Sequence, residues 1–331
     1  MELTTVTTDS AVFHDGTDVI VRDGLQPDTE VEAFGAEFRT LPRRGELLCR
    51  FATVNDVHFG ETVCGLIQGS DVGPVLSVGP DDDPYPEVMN RGAVSEIVAA
   101  DPALVVAKGD LTSSGRTEEY ERFLEVYGVF GDRLVHVRGN HDSYHHGEFA
   151  AFATQEVELP GVRIAVLDTA RDGRANGDLS ADQVEWLDEV AARSDEPVLV
   201  FGHHHVWDPD VDPRSDGFFG LVPEASEALA AVAGRRRPIR GYFAGHTHRN
   251  RRIRLAAAPG VEFVEVACVK DYPGTWALYE VYEGAILQIH RRISTPEALA
   301  WSEKTREMYD GAYAWYAFGD LDERCFAIPT A

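Results

Sequence analysis

Short apolar runs alternate with stretches of helical spacing through the middle of this chain, and each run is cut off by glycine or by polar side chains. Residues 51–55, 104–107, Leu134–Val137, Val162–Leu167, 197–201 and Ile239–Ala244 have the length and content of buried strands. Between them, 88–100 and 118–130 repeat apolar residues at helical intervals. Ser180, with Gln183 three residues on, forms a capping box that opens a helix carrying Val184, Trp186, Leu187 and Val190. Beyond Ala244 the runs 253–255, 261–266, 276–282 and 285–293 follow one another without helical stretches, so the second half turns to antiparallel pairing. The pattern predicts an α/β fold of two packed sheets with helices outside.

Both ends read differently. Residues 1–48 hold short alternating runs at 18–22 and 29–34 and turn candidates at Asp15-Gly16 and Asp23-Gly24, which predict a short β-rich appendage. The tail 294–331 carries Trp301, Tyr309, Tyr313, Trp315, Tyr316 and Phe318 and is expected to fold as a helix against the domain 49–293. Such an aromatic row is ordinarily core; the sharper alternative is a rim that stacks a nucleobase.

Composition narrows the class. At 331 residues and 44% hydrophobic content, the chain can bury a large core. A formal charge of −26 argues against a broad grip on nucleic acid or anionic membrane, since both need a cationic face. The arginine runs 235–237 and 249–254 are too short to reverse this and read as a solvated loop and strand edge. Four scattered cysteines form neither a metal spacing nor a disulfide ladder and suit a reducing compartment. Residues 1–10 lack a signal-peptide pattern and no apolar run reaches a membrane span, so a cytoplasmic location is expected.

The chemistry sits where the predicted strands end. Asp56-Val57-His58 follows the first, Gly109-Asp110 the second, Gly139-Asn140-His141-Asp142 the third, His203-His204-His205 the run 197–201, and Gly245-His246-Thr247-His248 the run Ile239–Ala244. Carboxyl ends of strands are where α/β sheets place ligand sites. Carboxylate, imidazole and amide oxygen together suit hard and borderline cations, and two such ions can drive hydrolysis of a phosphate ester. One carboxylate must then be shared, and Asp110 is the candidate, being the acid that closes a strand with no imidazole of its own. Asn140 can offer its amide oxygen to a cation while His141 faces a substrate.

In this order the five motifs resemble those of the calcineurin-like metallophosphoesterases, over about residues 51–293. The resemblance implies a four-layer αββα sandwich of two mixed sheets with a binuclear centre. It would place Asp56, His58 and His248 on one metal, Asn140, His203 and His246 on the other, and Asp110 between them. His141 would be the acid that meets the substrate, oriented by Asp142. Motif order, with Gly177-Asp178-Leu179 through Gln183 and Trp186-Leu187, looks most like the bacterial branch of cyclic-nucleotide phosphodiesterases and glycerophosphodiesterases. The segment 25–31 resembles the late part of a fibronectin-type or purple-acid-phosphatase-type β-domain, here truncated.

The chain departs from the family in lacking a proline pair after His203, so His204 and His205 are candidates for substrate contact or for local packing, as are His145 and His146. His14, His136 and His290 read as structural. The long loops 59–86 and 208–219 could roof the site, and acidic residues such as Asp81 to Asp83 favour small substrates. Expected, then, is a phosphodiesterase using two ions of iron, manganese or zinc on a small-molecule phosphate ester. A phosphomonoesterase, a nuclease and a non-catalytic scaffold are the alternatives.

Overall fold

The computed structural model describes residues 1–67, 69–79, 82–145 and 148–330; His146 and Asp81 lie outside them. Two six-stranded mixed sheets form the body. The first runs, edge to edge, Leu134–Val137, Val105–Lys108, Leu47–Val54, Thr275–Tyr282, Ala285–Arg292 and Cys325–Pro329. Its first three strands are parallel and the rest antiparallel. The second runs Thr154–Leu159, Val162–Leu167, Val198–Phe201, Ile239–Ala244, Glu262–Glu265 and Arg251–Ile253, parallel through its four central strands. Antiparallel pairing takes over after Ala244 at Arg251–Ile253, Thr275–Tyr282 and Ala285–Arg292, as expected, while Glu262–Glu265 also keeps a parallel neighbour in Ile239–Ala244.

The period-2 alternation of side chains sorts each strand between two layers. Val106, Leu199, Phe201, Phe243 and Tyr279 point between the sheets, where the Phe51 and Tyr279 rings stack at 4.5 Å. Val105 and Ala107 face outward to the helices Tyr85–Ala100 and Thr117–Tyr127 through Met89, Ile97 and Phe123. Val198 and Val200 face outward to Ala181–Ala192 and Pro223–Arg235. Each fully buried aliphatic or aromatic side chain here contributes roughly 1.5–3 kcal/mol. The arrangement is the four-layer αββα sandwich that the motif order implied. The Ser180 capping box forms as read, Gln183 N donating to Ser180 Oγ at 3.2 Å and Ser180 N to Gln183 Oε1 at 2.9 Å.

Residues 1–39 form a three-stranded meander and a hairpin. Val6, Phe13 and Phe38 enter the same apolar core as the helices on the first sheet. The tail forms three helices rather than one, and its last residues add the edge strand Cys325–Pro329. The basic run is less solvated than expected: Arg249 pairs with Glu265 at 2.8 Å, Arg252 with Glu262 at 2.9 Å and Arg251 with Asp208 at 3.0 Å. Among the described residues no helix is long and apolar enough to cross a membrane.

His14, His136 and His290 are structural, as the sequence suggested, each bonded to a neighbouring hydroxyl. His14 binds Thr4 Oγ1 at 2.8 Å and Ser294 Oγ at 3.0 Å, joining the amino-terminal strands to the tail. Burial, aided by nearby Arg292, lowers its pKa to about 4. A histidine depressed in the folded state stabilises the fold above its unfolded pKa and loses that contribution as pH falls through its folded value. The window is thus pH 6.5 down to about 4. His14→Gln should flatten the stability loss across that window by up to about 3 kcal/mol, read from urea midpoints at stepped pH.

Candidate metal centre

All five polar clusters emerge at one end of the sandwich. Asp56, His58, Asp110 and Asn140 follow strands of the first sheet, and His203, His246 and His248 follow strands of the second. Five of them hold positive φ: Asp56 (52°), His58 (49°), Asp110 (50°), His246 (70°) and His248 (58°). Non-glycine residues adopt this region rarely, at about 1–3 kcal/mol each, and such strain gathers at functional sites. Backbone bonds hold the kinks, with Asp56 N donating to Gly109 O at 3.1 Å and His58 N to Asp110 O at 3.0 Å. Two glycines make room. A Cβ on Gly109 would lie 2.6 Å from His203 Nδ1, and one on Gly139 would overlap the Asp110 carboxylate.

What converges is a set of acceptors. His203 Nδ1 lies 2.9 Å from the Lys108 carbonyl, which can only accept, so that nitrogen carries the proton. Its Nε2 faces Asn140 Oδ1 at 3.1 Å and Asp110 Oδ1 at 3.3 Å, where it can hold either a proton or a cation. Asn140 gives its Nδ2 to the Tyr144 hydroxyl at 2.7 Å, leaving its oxygen for the site. The other Asp110 oxygen, Oδ2, is 3.4 Å from His58 Nε2, so one carboxylate faces both halves. His248 Nε2 lies 3.4 Å from Asp56 Oδ1. Both ring nitrogens of His58 are buried without a hydrogen-bond partner. Ligating atoms of Asp56, His58 and His248 fall within 4.8 Å of one another, as do those of Asp56, Asp110 and His203. Buried carboxylate, imidazole and amide oxygen gathered this closely need positive charge among them, and this donor set suits a metal pair.

The electrostatics carry the same signature. Burial alone would raise Asp56, but His248 and His203 outweigh it and hold the carboxyl below its usual range. Burial likewise opposes ionisation of Asp110, yet His203 and His141 hold it low. His203 is pushed down by burial and up by Asp110, and ends at about 9. His246 falls to about 3, through burial first and then His203. Burial and the neighbouring Lys270 keep His58 well below the ordinary imidazole range, leaving it neutral as a ligand requires.

Four candidate residues, Asp142, His204, His205 and His145, stand away from the His141 ring or the cavity wall. Asp142 does not touch the His141 ring. Its carboxylate accepts from Leu111 N (3.0 Å), Thr112 N (2.8 Å), Thr112 Oγ1 (2.6 Å) and Gly139 N (2.7 Å), pinning the loops that carry Asp110 and Asn140. The partner of His141 Nδ1 is the Ser113 carbonyl at 2.7 Å. His204 and His205 are buried and do not line the cavity; His204 is held by Thr169 Oγ1 at 2.8 Å and His205 packs on Phe218. His145 is exposed and also stands off the cavity wall.

That cavity, of about 630 Å³, opens over His58, Asp110, Asn140, His141, His246 and His248. Both long loops reach it, one through residues 63–67 and the other through Phe219, whose ring stacks on His246 at 4.0 Å and whose carbonyl is 2.8 Å from His246 Nε2. The tail adds Met308, Tyr309, Tyr313 and Tyr316, a contribution no strand-end motif announced.

Beneath the site lies a second feature that sequence reading missed. Lys108 is fully buried and donates to Asn55 Oδ1 at 2.6 Å and the Ala244 carbonyl at 3.3 Å. Asn55 in turn donates to Asp56 Oδ2 at 2.6 Å and to the Val266 carbonyl at 2.9 Å. The pair ties the two sheets together where the ligands leave them, and burial lowers Lys108 to about 7. The signal was available: a lysine ending an apolar strand, and an asparagine beside the first acid. Asn55→Ala strands the buried ammonium and should destabilise the protein by about 2–3 kcal/mol in chemical denaturation.

Residues 49–250 match the model of the calcineurin-like phosphoesterase family, and the chain belongs to that family of phosphate-ester hydrolases. Among relatives, a "Probable cyclic nucleotide phosphodiesterase" of a Synechococcus species is 28% identical over 182 residues, covering 49% of this chain and 68% of that one. A "Probable glycerophosphodiester phosphodiesterase" of Arcobacter nitrofigilis is 28% identical over 210 residues, covering 57% and 73%. Among solved structures, a dimetal phosphatase from Danio rerio superposes with a TM-score of 0.54 at 19% identity, over 75% of this chain and 97% of that one, a likeness of fold.

Proposed function

We propose that this protein hydrolyses small phosphodiesters with two metal ions drawn from iron, manganese or zinc. Asp56, His58 and His248 would hold one, Asn140, His203 and His246 the other, with Asp110 shared. The observation that carries the reading is the buried meeting of His203 Nε2, Asn140 Oδ1 and the two Asp110 oxygens, with Asp110 facing both halves of the site. These residues would hold ions whose chemistry is to give positive charge to phosphate oxygens and to bring the pKa of water toward neutrality.

The chain's own groups do the rest. His141 lines the cavity, and the Ser113 carbonyl fixes its Nδ1 as the protonated nitrogen. As an imidazolium, His141 then carries a second proton on Nε2, which passes to the departing alkoxide and leaves the ring neutral with Nδ1–H kept. Asp142 keeps His141 in place indirectly, by holding Gly139 at the turn. The walls favour a monoanionic diester over a polyanion: Lys270 is the one cation lining the cavity among the described residues, and Glu61 engages it at 2.7 Å. Tyr309, Tyr316, Phe219 and Leu66 offer aromatic and apolar surface to one of the two alcohols.

The relatives' names, a cyclic nucleotide and a glycerophosphodiester phosphodiesterase, support a diester over a monoester. A nuclease is disfavoured by the charge of −26. In this reading residues 49–293 are the catalytic unit, 1–48 an appendage and 294–331 a tail that supplies one wall. A panel of bis(p-nitrophenyl) phosphate, cyclic AMP, glycerophosphodiesters and p-nitrophenyl phosphate on metal-loaded protein tests it. Diesters should turn over faster than the monoester; preferential monoester hydrolysis would replace the reading with a phosphatase.

A further inference from the structure

Outside the ligand set, the buried carboxylate of Asp271 and the half-buried one of Glu61 face the far sides of two proposed ligands. Glu61 Oε2 lies 3.7 Å from His58 Nδ1, and Asp271 Oδ2 lies 3.9 Å from His248 Nδ1. One ammonium joins them: Lys270 Nζ is 2.7 Å from Glu61 Oε2 and 3.5 Å from Asp271 Oδ2. Asp271 is anchored from its other oxygen, Oδ1, which accepts from Cys268 Sγ at 2.8 Å and from the Tyr313 hydroxyl at 2.5 Å. Lys270, Asp271 and Tyr313 are each at least 95% buried, with exposures of 5%, 2% and 4%. Neither carboxylate approaches the imidazoles of His203 or His246, which instead meet the carbonyls of Lys108 and Phe219. The two halves of the site are thus supported differently, one by neutral backbone and one by a charged cluster.

We propose that Glu61, Lys270, Asp271 and Tyr313 form a positioning clamp for the metal held by Asp56, His58 and His248, through which the carboxyl-terminal tail governs that one position. The inference rests on the two-ion reading above. At 3.7 and 3.9 Å neither contact is a hydrogen bond; each carboxylate acts on its ring by charge, favouring the proton on the Nδ1 that faces it and leaving Nε2 to the ion. A single lysine between both carboxylates keeps them apart and aimed at separate rings, where two unpaired buried acids would repel. Tyr313 extends this support to a segment outside residues 49–250, the stretch the family model matches, as do Lys270 and Asp271. Glu61, Lys270, Asp271 and Tyr313 also line the cavity, so the affinity of one ion, read apart from turnover, is the quantity that isolates the clamp.

Manganese titration of metal-freed full-length protein, followed by electron paramagnetic resonance, separates the two positions. In an Asn140→Ala background, where the clamped position is the intact one, adding Lys270→Met or Asp271→Asn should weaken the remaining ion by about 10- to 100-fold. In a His248→Ala background the same additions should leave affinity unchanged. Tyr313→Phe removes a single hydroxyl and should reproduce the weakening in smaller degree; if Lys270→Met fails to melt cooperatively, Tyr313→Phe and Asp271→Asn carry the test. Equal affinities with and without these substitutions, in a protein whose wild type binds two ions, would overturn the clamp alone. A wild type that never binds two ions would overturn the two-ion reading and the clamp with it.

Discussion

Asp110→Asn is expected to strip metal from the purified protein and to cut phosphodiester turnover by at least about 10²- to 10³-fold, the equivalent of several kcal/mol of charge stabilisation. The size follows from position. Asp110 sends Oδ2 toward His58 Nε2 at 3.4 Å and Oδ1 toward His203 Nε2 at 3.3 Å, and Oδ1 also accepts from the His141 backbone N at 2.9 Å. Asparagine keeps the shape but replaces one oxygen with an NH₂ that cannot ligate. It also removes one of the two buried negative charges that hold His203 protonatable in the metal-free state. Elemental analysis alongside hydrolysis of bis(p-nitrophenyl) phosphate checks both halves. Retention of two ions with near-normal turnover would show that Asp110 is not shared.

His141→Ala should do the opposite to metal and nearly as much to rate. The side chain stands beside the ligand set, its ring 4.6 Å from that of His58, but its Nδ1 is committed to the Ser113 carbonyl. Metal content should therefore hold at the wild-type value while turnover falls by about 10²- to 10⁴-fold, the range for a general acid. Leaving-group chemistry sharpens the test. An alkoxide needs its proton far more than p-nitrophenolate does, so the loss should be large for a glycerophosphodiester and small for bis(p-nitrophenyl) phosphate. Equal losses on both, or a loss of metal, would move His141 out of the acid's role.

The parts of this account legible in the sequence are those written locally. Apolar runs of strand length ending in ligand-type residues marked the site, because parallel strands bury both faces and must stop abruptly where the chain meets the ligand edge. The Ser180 capping box was readable for the same reason, since both partners lie within one turn. The place of Asp142 was not legible because three of its four donors are backbone N–H groups and those of Leu111 and Thr112 lie about thirty residues away, which no side-chain pattern encodes. His204 and His205 looked like His203 in sequence, and only packing against Thr169 and Phe218 separates them. The helix Pro223–Arg235 escaped notice because Leu229 and Val232 are the only large apolar side chains on a buried face otherwise of alanine, Ser226 and Pro223, which gives weak contrast, although Pro223 at its first turn was a usable signal. The tail's strand Cys325–Pro329 and its tyrosines in the cavity depend on a long-range return of the chain.

The central claim is that two metal ions, held by side chains from both sheets, hydrolyse a phosphodiester. Titrating metal-free protein with Mn²⁺ while following p-nitrophenolate release from bis(p-nitrophenyl) phosphate tests it most directly. Activity should rise from baseline and level off at two ions per chain, and vanish again on chelation. No turnover at any metal load, or turnover indifferent to chelation, would contradict it.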